Sequence, residues 1–374
     1  MQDVLNAVER WIGLAAERQR LASRSRQAAG LSSLGQLRGL GCHCPPDLPF
    51  HHVHSESIRE CADLVIDYES NVEHPKRRQA PLSFIAPLAA AIPRGAVVHV
   101  KTDHVAEFAS AILPQLRQPI VLVTGDSDMA PVRSHRGLLD HPMIGHWFAQ
   151  NCDLGEVHPR LSPIPIGLDN PVYTKFEKRI GFLADALAGR ARFDPLFKTN
   201  DTGDQRRFNA AAGGARAAVG RKPLAVLCTF HKNHRIAPDI SGLPDRVAAA
   251  AALGPQPFCH FVQRRMPQDK CWRMHADFAF EASPQGKGMD CFRTWEALAL
   301  GTVPIVRTSP LDLLYRAHDL PVAIVRDWAE VTLQRLSQWA EELVPRLEGA
   351  RQKLAADYWS GIIRARAAAL AAYG

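Results

Sequence analysis

The sequence predicts an α/β protein of two Rossmann-like domains facing a cleft. Short apolar runs alternate with amphipathic segments from residue 96 onward, the pattern of a mostly parallel sheet. That alternation occurs twice, before and after a polar, glycine-rich break at residues 198–222. The chain of 374 residues, 46% hydrophobic and 22% charged, is large enough for two cores.

Val4, Val8, Trp11, Ile12 and Ala15 recur at helical spacing, so residues 3–28 are expected to form a helix. Its arginines lie mostly off that stripe. It is read as a packed surface helix, with peripheral membrane contact as the alternative. Ala96–Val100 and Pro119–Thr124 read as buried strands separated by a helix over His104–Leu113. Ile164–Leu168 reads as another strand. Beyond the break come strands at Leu224–Cys228, Phe258–Val262, Phe278–Phe280, Val303–Val306 and Val322–Val325. Helices are expected at Pro244–Leu253, Gln268–Met274, Asp290–Leu300, Glu330–Leu347 and Leu354–Ala371. In open parallel sheets ligands sit at the carboxyl ends of strands, so a shared ligand would lie in the cleft.

Composition excludes several classes. No run of about 18 apolar residues is present, so no transmembrane helix is expected. Acidic and basic residues interrupt the first twenty positions, so no secretory signal is expected. Eight cysteines are too sparse for a disulfide scaffold, and reduced thiols in the cytoplasm follow. Lys and Arg number 45 against 38 Asp and Glu, a net charge of +7, which suits an anionic partner. Nucleic acid is not the expected one, because the basic residues are scattered and not interleaved with aromatics. There is no phosphate-binding Walker loop and no Gly-x-Gly-x-x-Gly fingerprint.

The most informative stretch is 278–308, FAFEASPQGKGMDCFRTWEALALGTVPIVRT. A strand leads through Pro284-Gln285-Gly286-Lys287-Gly288 into a helix for which Asp290 is the expected N-cap. Gly286 and Gly288 would let an anion approach the backbone, Lys287 adds charge, and the first helical turn offers unpaired N–H groups: together a diphosphate cradle. Arg293 and Glu296 share a helix face. A guanidinium can grip phosphate oxygens and a carboxylate can accept two ribose hydroxyls. The competing reading is an internal ion pair, Asp290–Arg293 or Arg293–Glu296.

The order strand, Pro-x-Gly-x-Gly, Asp, Arg293-x-x-Glu296-Ala-Leu, Gly301-x-x-Pro304-Ile-Val resembles the donor-nucleotide segment of the exostosin-like glycosyltransferases. So do Leu311–Tyr315 and Leu320–Trp328. The resemblance covers residues 222–340 best and 97–173 more weakly. It implies the GT-B architecture, with an acceptor domain over 1–215, a nucleotide-sugar domain over 216–345 and a C-terminal helix over 346–374 crossing back to the first. It implies that Glu296 holds the ribose and Arg293 the diphosphate or base edge. In the loop after Cys228, Arg235, or Lys232 next to it, would meet the donor phosphates. The implied donor is a uridine diphosphate sugar and the implied acceptor a saccharide, in surface polysaccharide or lipopolysaccharide synthesis at the cytoplasmic side of a membrane. No metal or other cofactor is implied. Retaining members carry a second Glu eight positions before the ribose-binding one; here Gly288 stands there, which favours inversion.

Inversion needs a general base from the first domain. The candidates are Asp126 and Asp128 in Thr124-Gly125-Asp126-Ser127-Asp128, with Asp128 preferred, and then Asp103 and His146. Each Asp could equally be a turn or cap residue. Asn151 and Trp147 are considered for an acceptor sugar. Cys42-His43-Cys44 with His51, His52 and His54 has the wrong spacing for a structural zinc site, so no metal is expected there. The alternative to an enzyme is a non-catalytic saccharide- or nucleotide-binding protein of the same fold.

Overall fold

A computed structural model describes residues 53, 55–66, 86–168, 220–230, 243–262 and 268–372. The expected helix at 3–28, the Cys42–His54 cluster, most of the break at 198–222, and both Lys232 and Arg235 lie outside the described residues. Among the described residues two parallel sheets of five strands each are formed. In the first, β1 (Leu64–Ile66), β2 (Val97–Lys101), β3 (Ile120–Gly125), β4 (Ile144–Ala149) and β5 (Leu161–Pro163) lie in chain order. The second contains β6 (Val226–Cys228), β7 (Cys259–Phe261), β8 (Phe280–Ala282), β9 (Val303–Arg307) and β10 (Ala323–Val325) in the order β10-β9-β8-β6-β7. The second order reverses between β6 and β8. The first has no such reversal.

The strands are near-continuous apolar runs because parallel sheets are covered on both faces. Ile120, Val121, Leu122 and Val123 are all fully buried. The helices used below are α1 (Ser55–Glu60), α2 (Leu243–Leu253), α3 (Gln268–Met274), α4 (Phe292–Ala299), α5 (Asp312–Ala317), α6 (Leu333–Leu343) and α7 (Ala356–Ala372).

Several elements differ from the sequence reading: the expected strand at Phe278–Phe280 lies two residues later as β8, and the expected helix at Glu330–Leu347 is shortened to α6. The expected helix at His104–Leu113 is a chain of short helical turns from Thr102 to Gln115. The expected strand at Ile164–Leu168 is displaced: β5 precedes it, and Ile164 N–H donates to Ala149 O at 3.0 Å as the chain leaves the sheet. β4 has no clean apolar pattern, because Gly145 and His146 interrupt it. The His146 ring is nonetheless buried, tilted against Phe148 at 4.7 Å, with Nε2 2.9 Å from Ser162 Oγ. Burial, helped by Arg366 and His158, drives its pKa down to about 3, so it is a neutral ring of the sheet interior.

Helix α7 returns to the first sheet and packs across β2, β3 and β4. Its Arg364 Nη1 donates to Asp63 Oδ1 at 2.8 Å, while Asp63 Oδ2 accepts from Val97 N–H at 2.8 Å. At its other end Trp359 meets Trp295 of α4 edge-on at 6.3 Å and lies 4.4 Å from the His318 ring. One helix therefore packs against both halves. Among the described residues no helix is long and apolar enough to cross a membrane.

Candidate functional site

Order reversal in the second sheet makes a topological switch point at the carboxyl ends of β6 and β8, the place where open α/β sheets bind ligands. Thr229 follows β6 and the loop Ser283–Asp290 follows β8. Residues that follow β3, β4 and β5 of the first sheet meet this loop. Asp290 Oδ2 accepts from Ile166 N–H at 2.8 Å, and Asp290 N–H donates to Asn151 Oδ1 at 2.8 Å. Asn151 Nδ2 in turn donates to Ser127 O at 2.9 Å. The carboxyl edges of the two sheets are thus joined through two side chains.

This junction corrects three expectations. Asp290 does not cap α4: Cys291 is the N-cap residue and makes no side-chain cap bond. The Asp290 carboxylate instead receives Trp295 Nε1 at 2.9 and 3.0 Å and the Cys291 N–H at 2.9 Å. Asn151 is wholly buried and holds a left-handed backbone, φ 47°, so it is a bridge between loops and not a lining for a sugar. The glycines do not leave an open cradle either. A Cβ on Gly286 would sit 2.7 Å from Arg246 Nη2, and one on Gly288 would sit 2.9 Å from both polar atoms of the Asn151 amide. Each glycine admits a protein side chain. Because Asn151 is held by two hydrogen bonds, Gly288→Ala should lower stability by about 1–3 kcal/mol, read as a shifted denaturation midpoint; an unchanged midpoint would show the junction to be slack.

Arg293 stands at this switch point. Its Nε donates to Thr229 Oγ1 at 2.9 Å and lies 3.8 Å from Glu281 Oε1. Its Nη1 is buried with no hydrogen-bond partner among the described residues. Neither ion pair of the competing reading, Arg293 with Asp290 or with Glu296, is formed among the described residues; the carboxylate beside Arg293 is Glu281, on β8. Arg246 of α2 approaches from the other side, with Nε donating to Gln285 O at 3.0 Å. Burial, reinforced by the charge of Arg293, lowers the pKa of Arg246. Two guanidinium groups therefore converge beside the Gly-Lys-Gly loop, where Lys287 is exposed. Glu296 stands one turn beyond Arg293, half-buried, on the side of Cys271 and His275.

Asp245, fully buried at the start of α2, holds this loop in place. It accepts from Gln285 N–H at 2.9 Å and from Trp328 Nε1 at 2.7 Å, and pairs with Arg307 Nε at 3.0 Å.

On the first-sheet side, Asp126 is corrected as a candidate base. Its carboxylate is paired with Arg59 at 3.3 Å, its side chain is 5% exposed, and its N–H donates to Gln150 Oε1 at 2.8 Å. Asp128 is exposed at the end of β3. Partial desolvation raises its pKa, opposed by Lys287 from across the junction and supported by Asp103. Trp147 is fully buried, with Nε1 on Thr124 Oγ1 at 2.9 Å, and is a core residue.

Residues missed in the sequence are Arg246, Asp245, Glu281, His275 and Thr229 in its bonding role. Only Glu281 left a mark: a carboxylate within Phe280-Glu281-Ala282 must be buried and therefore partnered. No protein-family model matches the chain, and no curated protein matches it either.

Proposed function

We propose that this chain is an inverting glycosyltransferase of GT-B architecture, moving a sugar from a nucleoside diphosphate donor, a uridine diphosphate sugar, to a saccharide acceptor in surface polysaccharide or lipopolysaccharide synthesis. One observation carries the reading: the buried, unpartnered Nη1 of Arg293 at the switch point of the second sheet. An unmet buried donor is costly, and an anionic ligand would relieve the cost. Arg246 and Lys287 add positive charge at the same place, and the returning α7 suits the architecture.

In this mechanism Asp128 takes the proton of an acceptor hydroxyl. The oxygen then attacks the anomeric carbon from the face opposite the diphosphate, and the bond from that carbon to the diphosphate oxygen breaks. Arg293 and Arg246 stabilise the charge growing on the departing diphosphate. Glu296 holds the ribose hydroxyls. A raised Asp128 pKa brings that carboxylate nearer to the strength a base needs.

The test is a thermal-shift panel of nucleotides and sugar nucleotides, followed by transfer assays with the responding donor. A ligand at 100 times its Kd raises stability by about 2.7 kcal/mol. Uridine diphosphate is expected to stabilise both the wild type and Asp128→Asn, and only the wild type should transfer sugar. Binding without turnover in the wild type would favour a non-catalytic binding protein; a flat panel would end the nucleotide reading.

A further inference from the structure

Behind Arg293 lies a chain of hydrogen bonds whose direction is fixed by chemistry. A guanidinium only donates, so Arg293 Nε–H points to Thr229 Oγ1 at 2.9 Å. The Thr229 hydroxyl therefore turns its own hydrogen to Glu281 Oε1 at 2.6 Å. Glu281 Oε2 lies 2.7 Å from His275 Nε2, and His275 Nδ1 lies 3.1 Å from the Cys271 carbonyl oxygen. Facing an ionised Glu281, both ring nitrogens of His275 would carry protons, and although burial opposes it, the charge and hydrogen bond of Glu281 raise the His275 pKa in that direction. Glu281 and His275 side chains are 1% and 2% exposed, so this pair is shut off from water.

The electrostatic consequence falls on Arg293. Glu281 bears one negative charge between two cations, His275 at 2.7 Å and Arg293 at 3.8 Å. The shorter contact, made directly, belongs to His275. Neighbouring thiols add no negative charge, since a hydrogen bond with the Cys259 thiol and burial push Cys228 upward and burial pushes Cys271 up to about 12. Glu281 is thus largely neutralised from behind, and Arg293 keeps a donor, Nη1, with no partner among the described residues.

We propose that His275, Glu281 and Thr229 are positioning residues that aim Arg293 at a bound diphosphate and keep its charge available to it. The relay rests on the reading that Arg293 meets an anion, and it adds what keeps that cation ready. Without His275 the buried Glu281 charge would turn on Arg293 and compete with the ligand. Without the Thr229 hydroxyl the guanidinium would lose its anchor.

The experiment titrates the full chain with inorganic pyrophosphate and with uridine diphosphate by calorimetry at neutral pH, folding being checked by circular dichroism. His275→Gln is expected to weaken pyrophosphate at least about tenfold, the scale of one charge-assisted hydrogen bond. The double variant His275→Gln with Glu281→Gln should recover most of that loss, because removing the buried negative charge leaves Arg293 unopposed. A purely structural role predicts the opposite, a double variant no better than the single. Thr229→Val should weaken binding to a similar degree and Thr229→Ser should restore it. This second pair decides the matter if His275→Gln does not fold.

The relay is overturned if the single and double variants are equally weak, if Thr229→Val binds as the wild type does, or if the wild type binds neither probe. Pyrophosphate binding with the expected variant pattern, but no response to uridine diphosphate, would sustain the relay and remove the nucleotide reading. Tight uridine diphosphate binding indifferent to all these variants would do the reverse.

Discussion

Arg293→Met is expected to leave the fold as stable as the wild type, within about 1 kcal/mol, while removing most of the nucleotide affinity. The stability half follows from what Arg293 does in the ligand-free protein. It forfeits a hydrogen bond at the buried Nη1, a loss of roughly 1–3 kcal/mol. It gains one at Nε with Thr229, worth about the same at most. Methionine fills similar space without either. Glu281 is not stranded by the change, since His275 and Thr229 still meet both of its oxygens. The affinity half follows from the loss of a desolvated cation facing a dianion, about 3 kcal/mol or roughly a hundredfold. Urea denaturation alongside calorimetry with uridine diphosphate reads both. Parallel loss of stability and binding would identify Arg293 as a structural residue and withdraw it from the ligand site.

Asp290→Ala should have the largest effect on stability, a loss of about 3–5 kcal/mol. The Asp290 carboxylate is 3% exposed by residue and serves three donors: Ile166 N–H, Cys291 N–H and Trp295 Nε1–H. Alanine leaves the first and last of these buried and unmet. It also removes the first sheet's hold on the loop before α4, so pyrophosphate affinity should fall with it. Asp290 carries a pH signature as well. Burial lifts its pKa to about 6 against its three donors. The folded state then binds this proton more tightly than the unfolded chain does. The contribution to stability is full below about pH 4, declines as pH rises to about 6, and is level above that. This is the reverse of a carboxylate held in an ion pair. Denaturation midpoints of wild type and Asp290→Asn, compared across that range, should differ by a curve of this shape. A difference independent of pH would show that the Asp290 carboxyl is not shifted in the folded protein.

Much of the scaffold was legible in the chain. β2, β3, β6, β7 and β9 lie where apolar runs stand between polar turns, and α2 and α3 begin and end within a residue of their sequence-derived limits. In β2, β3, β6, β9 and α2 the element's own residues supply the burial that holds it. β4 and β8 were harder, for one shared reason. Each buries a polar side chain, His146 or Glu281, which breaks the apolar pattern, and its hydrogen-bond partner lies on another element: Ser162 on β5 for His146, Thr229 and His275 for Glu281.

The candidate site divides along the same line. Residue types and local spacing were enough to single out the Gly286–Gly288 loop, Arg293, Glu296 and the acidic loop after β3. They did not tell which carboxylate Arg293 would face. Asp290 and Glu296 are near it in sequence, yet the nearby partner is Glu281, twelve residues back on an adjoining strand. They preferred Asp128 to Asp126 but did not give the physical difference between them, Arg59, which arrives from sixty-seven residues away. By itself the sequence determined the segments whose apolar periodicity is unbroken and which residues carry charge, since burial periodicity and chemistry are local properties. Only the tertiary structure decided which charges are paired and which donor is left without a partner among the described residues, because pairing depends on distances between side chains that the chain brings together from far apart.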